Sequence, residues 1–255
     1  MADTNTVLEW RNKGDILIFL HYFGGSVRSW KWVTEKLSDT YRCVALNFPG
    51  FGNTPALHPP SIKGFADFVR EELDKLELEN YSLIGHSMGC KIALQAAADV
   101  LEGTVRQLIL VAPSPPTIEP MPEKEKKRML HHPDRQEAET NVANAIKRPL
   151  TKEQHDVAIE TQLSTDPATW RWWLMEGMAH SIAENLKELQ VPITVLASED
   201  DPVILARVIQ EQVMNVLKHA KLITTKEVGH LSPLEAPDWV AEQIRKIISQ
   251  QKHQE

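Results

Sequence analysis

The chain has 255 residues, 42% of them apolar and 25% charged, and a formal net charge of -7. That composition suits a domain with a sizeable packed core rather than a disordered chain, and an acidic charge spread along the sequence argues against nucleic acid as a partner. Two cysteines, Cys43 and Cys90, form no disulfide framework or metal-ligand cluster, so reduced, buried thiols and neither metal nor cofactor are expected. The opening MADTNTVLEW lacks the basic and apolar regions of a signal peptide. The apolar run Ile16 to Leu20 is too short to cross a bilayer, so a cytoplasmic protein with no membrane partner is expected.

Residues 6–10 allow one short strand. Ile16 to Leu20 is a continuous apolar run of the kind buried on both faces of a parallel sheet. It ends in the loop His21-Tyr22-Phe23-Gly24-Gly25-Ser26, and Ser29-Trp30-Lys31-Trp32-Val33 begins a helix. Cys43 to Asn47 predicts a second buried strand, closed by the turn-rich Pro49-Gly50-Phe51-Gly52-Asn53. Phe65, Phe68, Val69, Leu73 and Leu76 form a helical stripe. The run Tyr81 to Ile84 then leads into Gly85-His86-Ser87-Met88-Gly89, followed by a small-residue helix carrying Ile92, Ala93, Ala96 and Ala97. A further strand runs from Gln107 to Ala112. Strand and helix alternate throughout, which predicts an α/β fold with a mostly parallel sheet covered on both faces.

From Pro113 to Leu189 the pattern changes to prolines, charges and amphipathic helices, roughly 122–132, 134–146, 151–163 and 167–188. The run Glu123 to Arg128 reads as a solvated helix face. Trp170, Trp172 and Trp173 are either core residues or pocket walls. The alternation then resumes, with a strand at Pro192 to Leu196, a helix at 203–217, a strand at Leu222 to Thr225 and a closing helix at 235–250. The expected division is a core of residues 1–112 and 190–255 with a helical lid of residues 113–189.

Strand, G-x-S-x-G and helix in that order form the layout of a nucleophile elbow, which lifts a serine hydroxyl above a sheet edge. Taken alone, a Ser/Gly turn before a helix accounts for the pentapeptide equally well. A serine needs a base, and the base an orienting acid. The strand ending near Leu196 is followed by Glu199-Asp200-Asp201-Pro202, and the one ending near Thr225 by Val228-Gly229-His230. The interval between the two holds one helix and one strand, which places acid and histidine on neighbouring strand ends.

Along nearly its whole length the chain resembles the α/β-hydrolase superfamily, in its lid-bearing, small esterase-like branch. The matching stretches are His21 to Ser26, Asn47 to Thr54, the elbow, Glu199 to Val203, and Val228-Gly229-His230. The resemblance implies an α/β-hydrolase fold with Ser87, Asp201 and His230 as catalytic triad. It puts the acid on Asp201, directly before the proline, rather than on Asp200, and an oxyanion hole on the backbone N–H groups of Phe23 and Met88. Two departures stand out: Tyr22 replaces a glycine beside the oxyanion loop, and Asn47 replaces an aspartate. Few residues precede the Ile16 strand, so one of the family's opening strands is expected to be missing.

The expected activity is a serine hydrolase acting through an acyl-enzyme on a small hydrophobic ester, lactone or thioester. Tyr22, His86, Trp170, Trp173, Met175 and Met178 are candidates for the pocket. The alternatives are perhydrolysis, acyl transfer, C–C hydrolysis or cofactor-free oxygenation on the same fold, or a hydrolase-like ligand receptor.

Overall fold

The computed structural model describes residues 6–10, 13–99 and 104–251. Its centre is a seven-stranded sheet in the order β1-β3-β2-β4-β5-β6-β7. The strands are β1 (Val7–Trp10), β2 (Ile16–Leu20), β3 (Arg42–Leu46), β4 (Tyr81–His86), β5 (Val105–Val111), β6 (Ile193–Ser198) and β7 (Lys221–Thr225). Only β1 runs antiparallel, against β3; every other pairing is parallel. Among the described residues no strand precedes β1.

The unbroken apolar runs follow from burial on both faces. Ile18, Leu20, Val44, Leu46, Leu83, Leu108, Leu110 and Val195 point to one face. There they meet α2 (Ile62–Lys75) and α3 (Met88–Ala98). Leu17, Phe19, Cys43, Ala45, Ile84, Ile109, Val111 and Leu196 point to the other, covered by α1 (Lys31–Leu37) and α9 (Pro237–Gln251). Successive strand residues alternate between the two layers, so neither set has a polar face to offer.

Between β5 and β6 the chain carries α4 (Glu123–Met129), α5 (Arg135–Ala145), α6 (Lys152–Leu163) and α7 (Pro167–Trp172). Asp134, Thr151 and Asp166 cap α5, α6 and α7 by accepting from the N–H three residues on, which gives these helices sharp starts. No residue of α4 is buried, in keeping with a solvated charged face.

Two predicted helices differ. The helix expected over 167–188 becomes a π-helical turn at Trp173–Gly177, and a separate 3-10 turn follows at Ala183–Leu186. The chain bends there because the buried Lys91 ammonium draws in the carbonyl oxygens of His180, at 3.1 Å, and Thr117, at 3.0 Å. The helix expected over 203–217 is present but shorter, α8 (Ala206–Val208) continuing without a break as a π-helical stretch at Ile209–Met214. The Val203 and Ile204 N–H groups donate to Asp201 Oδ1, at 2.8 and 2.9 Å, so residues 202–205 close a loop instead of a first helical turn.

The crossing of β4 into α3 leaves no room for a side chain at either of its glycines. A Cβ on Gly85 would lie 2.7 Å from the backbone of Cys90 and Gly89, and one on Gly89 would lie 2.4 Å from the Leu20 carbonyl oxygen. Both obstacles are backbone and cannot swing aside. Gly85→Ala is therefore expected to lower the unfolding free energy by about 3 kcal/mol, measured by urea denaturation; an unchanged midpoint would contradict this packing.

Candidate active site

Ser87 stands between β4 and α3 with φ 51° and ψ -116°, a left-handed backbone that a residue with a Cβ adopts at a cost of roughly 1–3 kcal/mol. Three backbone hydrogen bonds hold it there. The Ser87 N–H donates to the Val111 carbonyl at 3.0 Å, and its own carbonyl accepts from Cys90 at 2.9 Å and Ser114 at 3.2 Å.

The bend aims the hydroxyl at His230, whose Nε2 lies 2.9 Å from Ser87 Oγ. On the other side of the ring, Nδ1 lies 2.8 Å from Asp201 Oδ2. All three side chains are buried. With the Nδ1 proton committed to the carboxylate, the neutral ring carries its lone pair on Nε2, facing the serine hydroxyl. Burial opposes the imidazolium, but the charge and hydrogen bond of Asp201, with Glu119 and Glu235 behind them, outweigh it and raise the His230 pKa above 6.5. Asp201 also accepts from two backbone N–H groups, so each of its oxygens is occupied. Asp200 takes a separate task. It accepts from the Glu227 N–H at 2.7 Å and ties the loop after β6 to the loop after β7.

His86 sits under the site. Its Nε2–H donates to the His230 carbonyl at 2.8 Å. Burial, with the neighbouring His230 and His21 adding to it, holds its pKa well below 6.5, so the ring stays neutral. His21 works in the same way on the loop after β2: its Nδ1–H donates to the Tyr22 carbonyl at 2.8 Å and its Nε2 accepts from the Phe48 N–H at 3.2 Å. Burial lowers its pKa to about 4. That loop presents the Phe23 N–H, which takes no backbone partner among the described residues. Met88 opens α3, where an N–H has no acceptor within the helix. Asn47, in place of an acid, accepts from the Val27 N–H at 2.8 Å and so braces the same loop.

The loop bearing His230 is bound to the insert rather than to the sheet alone. The His230 N–H donates to the Ala145 carbonyl at 2.7 Å. Glu235 Oε2 accepts from the N–H groups of Gly229, Lys147 and Arg148 at 2.8–2.9 Å. Arg148 Nε donates to the Glu227 carbonyl, and Gln154 Nε2 to that of Leu234, both at 2.8 Å. Nothing in the sequence pattern singled out Glu235.

A cavity of about 500 Å³ opens above Ser87 and His230. Its walls come from both the core and the insert, and they include Tyr22, Phe23, Trp170 and Trp173. The Phe23 and Trp170 rings lie 4.2 Å apart between centroids. Trp170 is locked in turn by a 2.7 Å hydrogen bond to the Met129 carbonyl and by stacking on His132. Trp172 instead packs on Phe65 in the core. Three pocket expectations are corrected. His86 is not in the lining, because its ring is turned down to the His230 carbonyl, and Met178 is buried in the main apolar cluster. Met175 is 43% exposed and is likewise outside the lining. Among the described residues no group of three or more His, Cys, Asp or Glu side chains could hold a metal ion. No helix among them is long and apolar enough to cross a membrane.

A parallel sheet with a serine at the β4–α3 turn, an acid after β6 and a histidine after β7 defines a class of α/β proteins recognised by that geometry. The chain belongs to the alpha/beta hydrolase family, whose model matches residues 17–243. It is 35% identical over 100 residues to a dihydrolipoyllysine-residue acetyltransferase component of an acetoin cleaving system from Cupriavidus necator, covering 39% of this chain and 26% of that protein. It is 31% identical over 87 residues to 2-succinyl-6-hydroxy-2,4-cyclohexadiene-1-carboxylate synthase from Citrobacter koseri, covering 34% of each. The chain thus matches only about a quarter to a third of the length of these curated relatives. Among solved structures, an esterase from Exiguobacterium antarcticum is similar with a TM-score of 0.85 and 17% identity, covering 95% of this chain and 94% of that one. A thermophilic esterase from Thermogutta terrifontis is similar with a TM-score of 0.79 and 20% identity, covering 96% and 93%. At such identities the likeness speaks for the fold.

Removing the Glu235 carboxylate strands three backbone N–H groups. Glu235→Ala is expected to cost about 2–4 kcal/mol in urea unfolding, and Glu235→Gln, which keeps an acceptor, markedly less. Equal losses in the two variants would contradict this role.

Proposed function

We propose that the chain is a serine hydrolase of small hydrophobic carboxylic esters, lactones or thioesters. The observation that carries this reading is the continuous pair of contacts from Ser87 Oγ through His230 to Asp201, opening on an aromatic cavity. In this mechanism Ser87 attacks the acyl carbonyl as His230 Nε2 takes its proton, and Asp201 holds the ring and offsets the imidazolium charge. The N–H groups of Phe23 and Met88 receive the oxyanion, the second helped by its place at the start of α3. The imidazolium protonates the leaving group. Water, activated by the same base, then releases the acyl group.

Residues 113–189 act as a lid in this reading. The hydrogen bonds around Glu235 and Ala145 support a fixed hinge on the His230 side, leaving the α4 side to admit substrate. Tyr22, Trp170 and Trp173 shape the acyl or alcohol site. The two free, buried cysteines suit a reducing compartment such as the cytoplasm. A second reading keeps the same residues but applies them to acyl transfer or C–C chemistry, favoured by the local identity to the acetyltransferase component and the carboxylate synthase.

Profiling a panel of nitrophenyl esters, lactones and thioesters separates the two. The expected result is multiple turnover on at least one class, reduced by about 10³-fold or more in Ser87→Ala; undiminished turnover in that variant would contradict the assignment. The base must be neutral, and the His230 pKa is raised, so kcat/KM is expected to fall on acidification with a midpoint above 6.5. A midpoint below 6.5 would contradict the pairing with Asp201.

A further inference from the structure

The cavity is not uniformly apolar. Glu119 lines it together with Ser87 and His230, and no step of the proposed mechanism uses it. Its position is tied to the elbow by two linked contacts. The Ser114 N–H donates to the Ser87 carbonyl at 3.2 Å, and the Ser114 hydroxyl donates to Glu119 Oε2. The Glu119 backbone N–H is held by the Met178 carbonyl at 2.8 Å. Its second carboxylate oxygen, Oε1, takes no hydrogen bond among the described residues.

The structural ties of this acid engage only one of its two carboxylate oxygens. Lys91 lies within electrostatic reach, but its ammonium already donates to the carbonyls of Thr117 and His180 and sits 5.8 Å from the Trp173 ring. Its charge favours the Glu119 carboxylate without forming an ion pair with it. Burial raises the Glu119 pKa, while the Ser114 hydroxyl, Lys91 and His230 favour the carboxylate. With one oxygen bonded to Ser114 and the other without a partner among the described residues, this half-buried carboxylate has an acceptor free for a donor bound in the cavity.

We propose that Glu119 is a specificity-determining residue that accepts a hydrogen bond from a hydroxyl or ammonium group on the substrate, a few bonds from the reacting carbonyl. This rests on the hydrolase reading above and narrows it from plain hydrophobic esters to hydroxy- or amino-substituted ones. The aromatic walls of Phe23, Trp170 and Trp173 take the apolar remainder, and Glu119 fixes which way round it lies.

The test is a matched set of esters: ethyl butanoate, ethyl 3-hydroxybutanoate and ethyl 3-aminobutanoate, with kcat/KM followed by pH-stat. Turnover of any of the three esters by the native chain, lost in Ser87→Ala, examines the hydrolase reading by itself; no Ser87-dependent turnover of these esters or of the panel above overturns that reading and this one with it. The expected native preference for a substituted ester over ethyl butanoate is about tenfold or more, falling to about one in Glu119→Leu. Glu119→Gln, close in shape, keeps an acceptor without the charge. A hydroxyl ligand predicts that it retains much of the hydroxy preference, whereas an ammonium ligand predicts that the amino preference is lost. A native ratio near one for both substituted esters, or a preference that survives undiminished in Glu119→Leu and Glu119→Gln, overturns the inference while leaving the hydrolase reading intact.

Discussion

The His230 imidazole reaches 2.9 Å to Ser87 and 2.8 Å to Asp201, and the rest of the structure is arranged so that both contacts hold at once. Three side chains on the ends of β4, β6 and the segment after β7 must meet at one ring, although they lie far apart in sequence. A parallel sheet supplies this directly, because all three strands end on the same side. What the sheet does not supply is the final ångström. Backbone contacts do that: the Val111 carbonyl on Ser87, two N–H groups on Asp201, and the Ala145 and His86 contacts on either side of the His230 peptide. A loop histidine loses its aim through small shifts, and here its main chain is bound from above by the insert and from below by a neutral histidine.

That arrangement explains why the insert is more than a cover. Glu235 gathers one N–H from the histidine loop and two from the end of α5, so one carboxylate joins the two parts. The same cavity therefore has a rigid wall near His230 and a wall on α4 that buries no residue. In the proposed reaction, substrate discrimination falls to the loops that meet at the cavity: the oxyanion loop with Tyr22, the aromatic end of α7, and the turn that carries Glu119.

Much of this was legible in the sequence because the signals were local. β2 is an unbroken apolar run, β3, β5 and β6 each carry one of three or four residues, and the elbow glycines mark a bend that no side chain fits. The acid before Pro202 and the histidine after Gly229 follow strand ends, so their meeting follows from the topology. The family resemblance added the choice of Asp201 over Asp200, and the Asp200 bond to Glu227 gives that choice a physical basis. Other features depend on contacts between distant segments and leave no periodic trace. Glu235 reads as one more acid near a helix start. Lys91, one lysine in a small-residue helix, carries no signal in the sequence pattern, yet it is fully buried, and burial lowers its pKa to about 8. Its pull on the His180 carbonyl helps end the helix expected to run on to residue 188. His86 was expected to line the pocket, but its ring is turned beneath the His230 peptide and donates to the His230 carbonyl.

The central claim is that the elbow serine is a nucleophile activated by His230. The most direct measurement is the site of covalent capture by a fluorophosphonate, read by intact mass and peptide mapping on the native chain. The account predicts one adduct per chain, on Ser87, formed faster as pH rises through the His230 titration. No adduct, or an adduct on another residue with Ser87 unmodified, would contradict it.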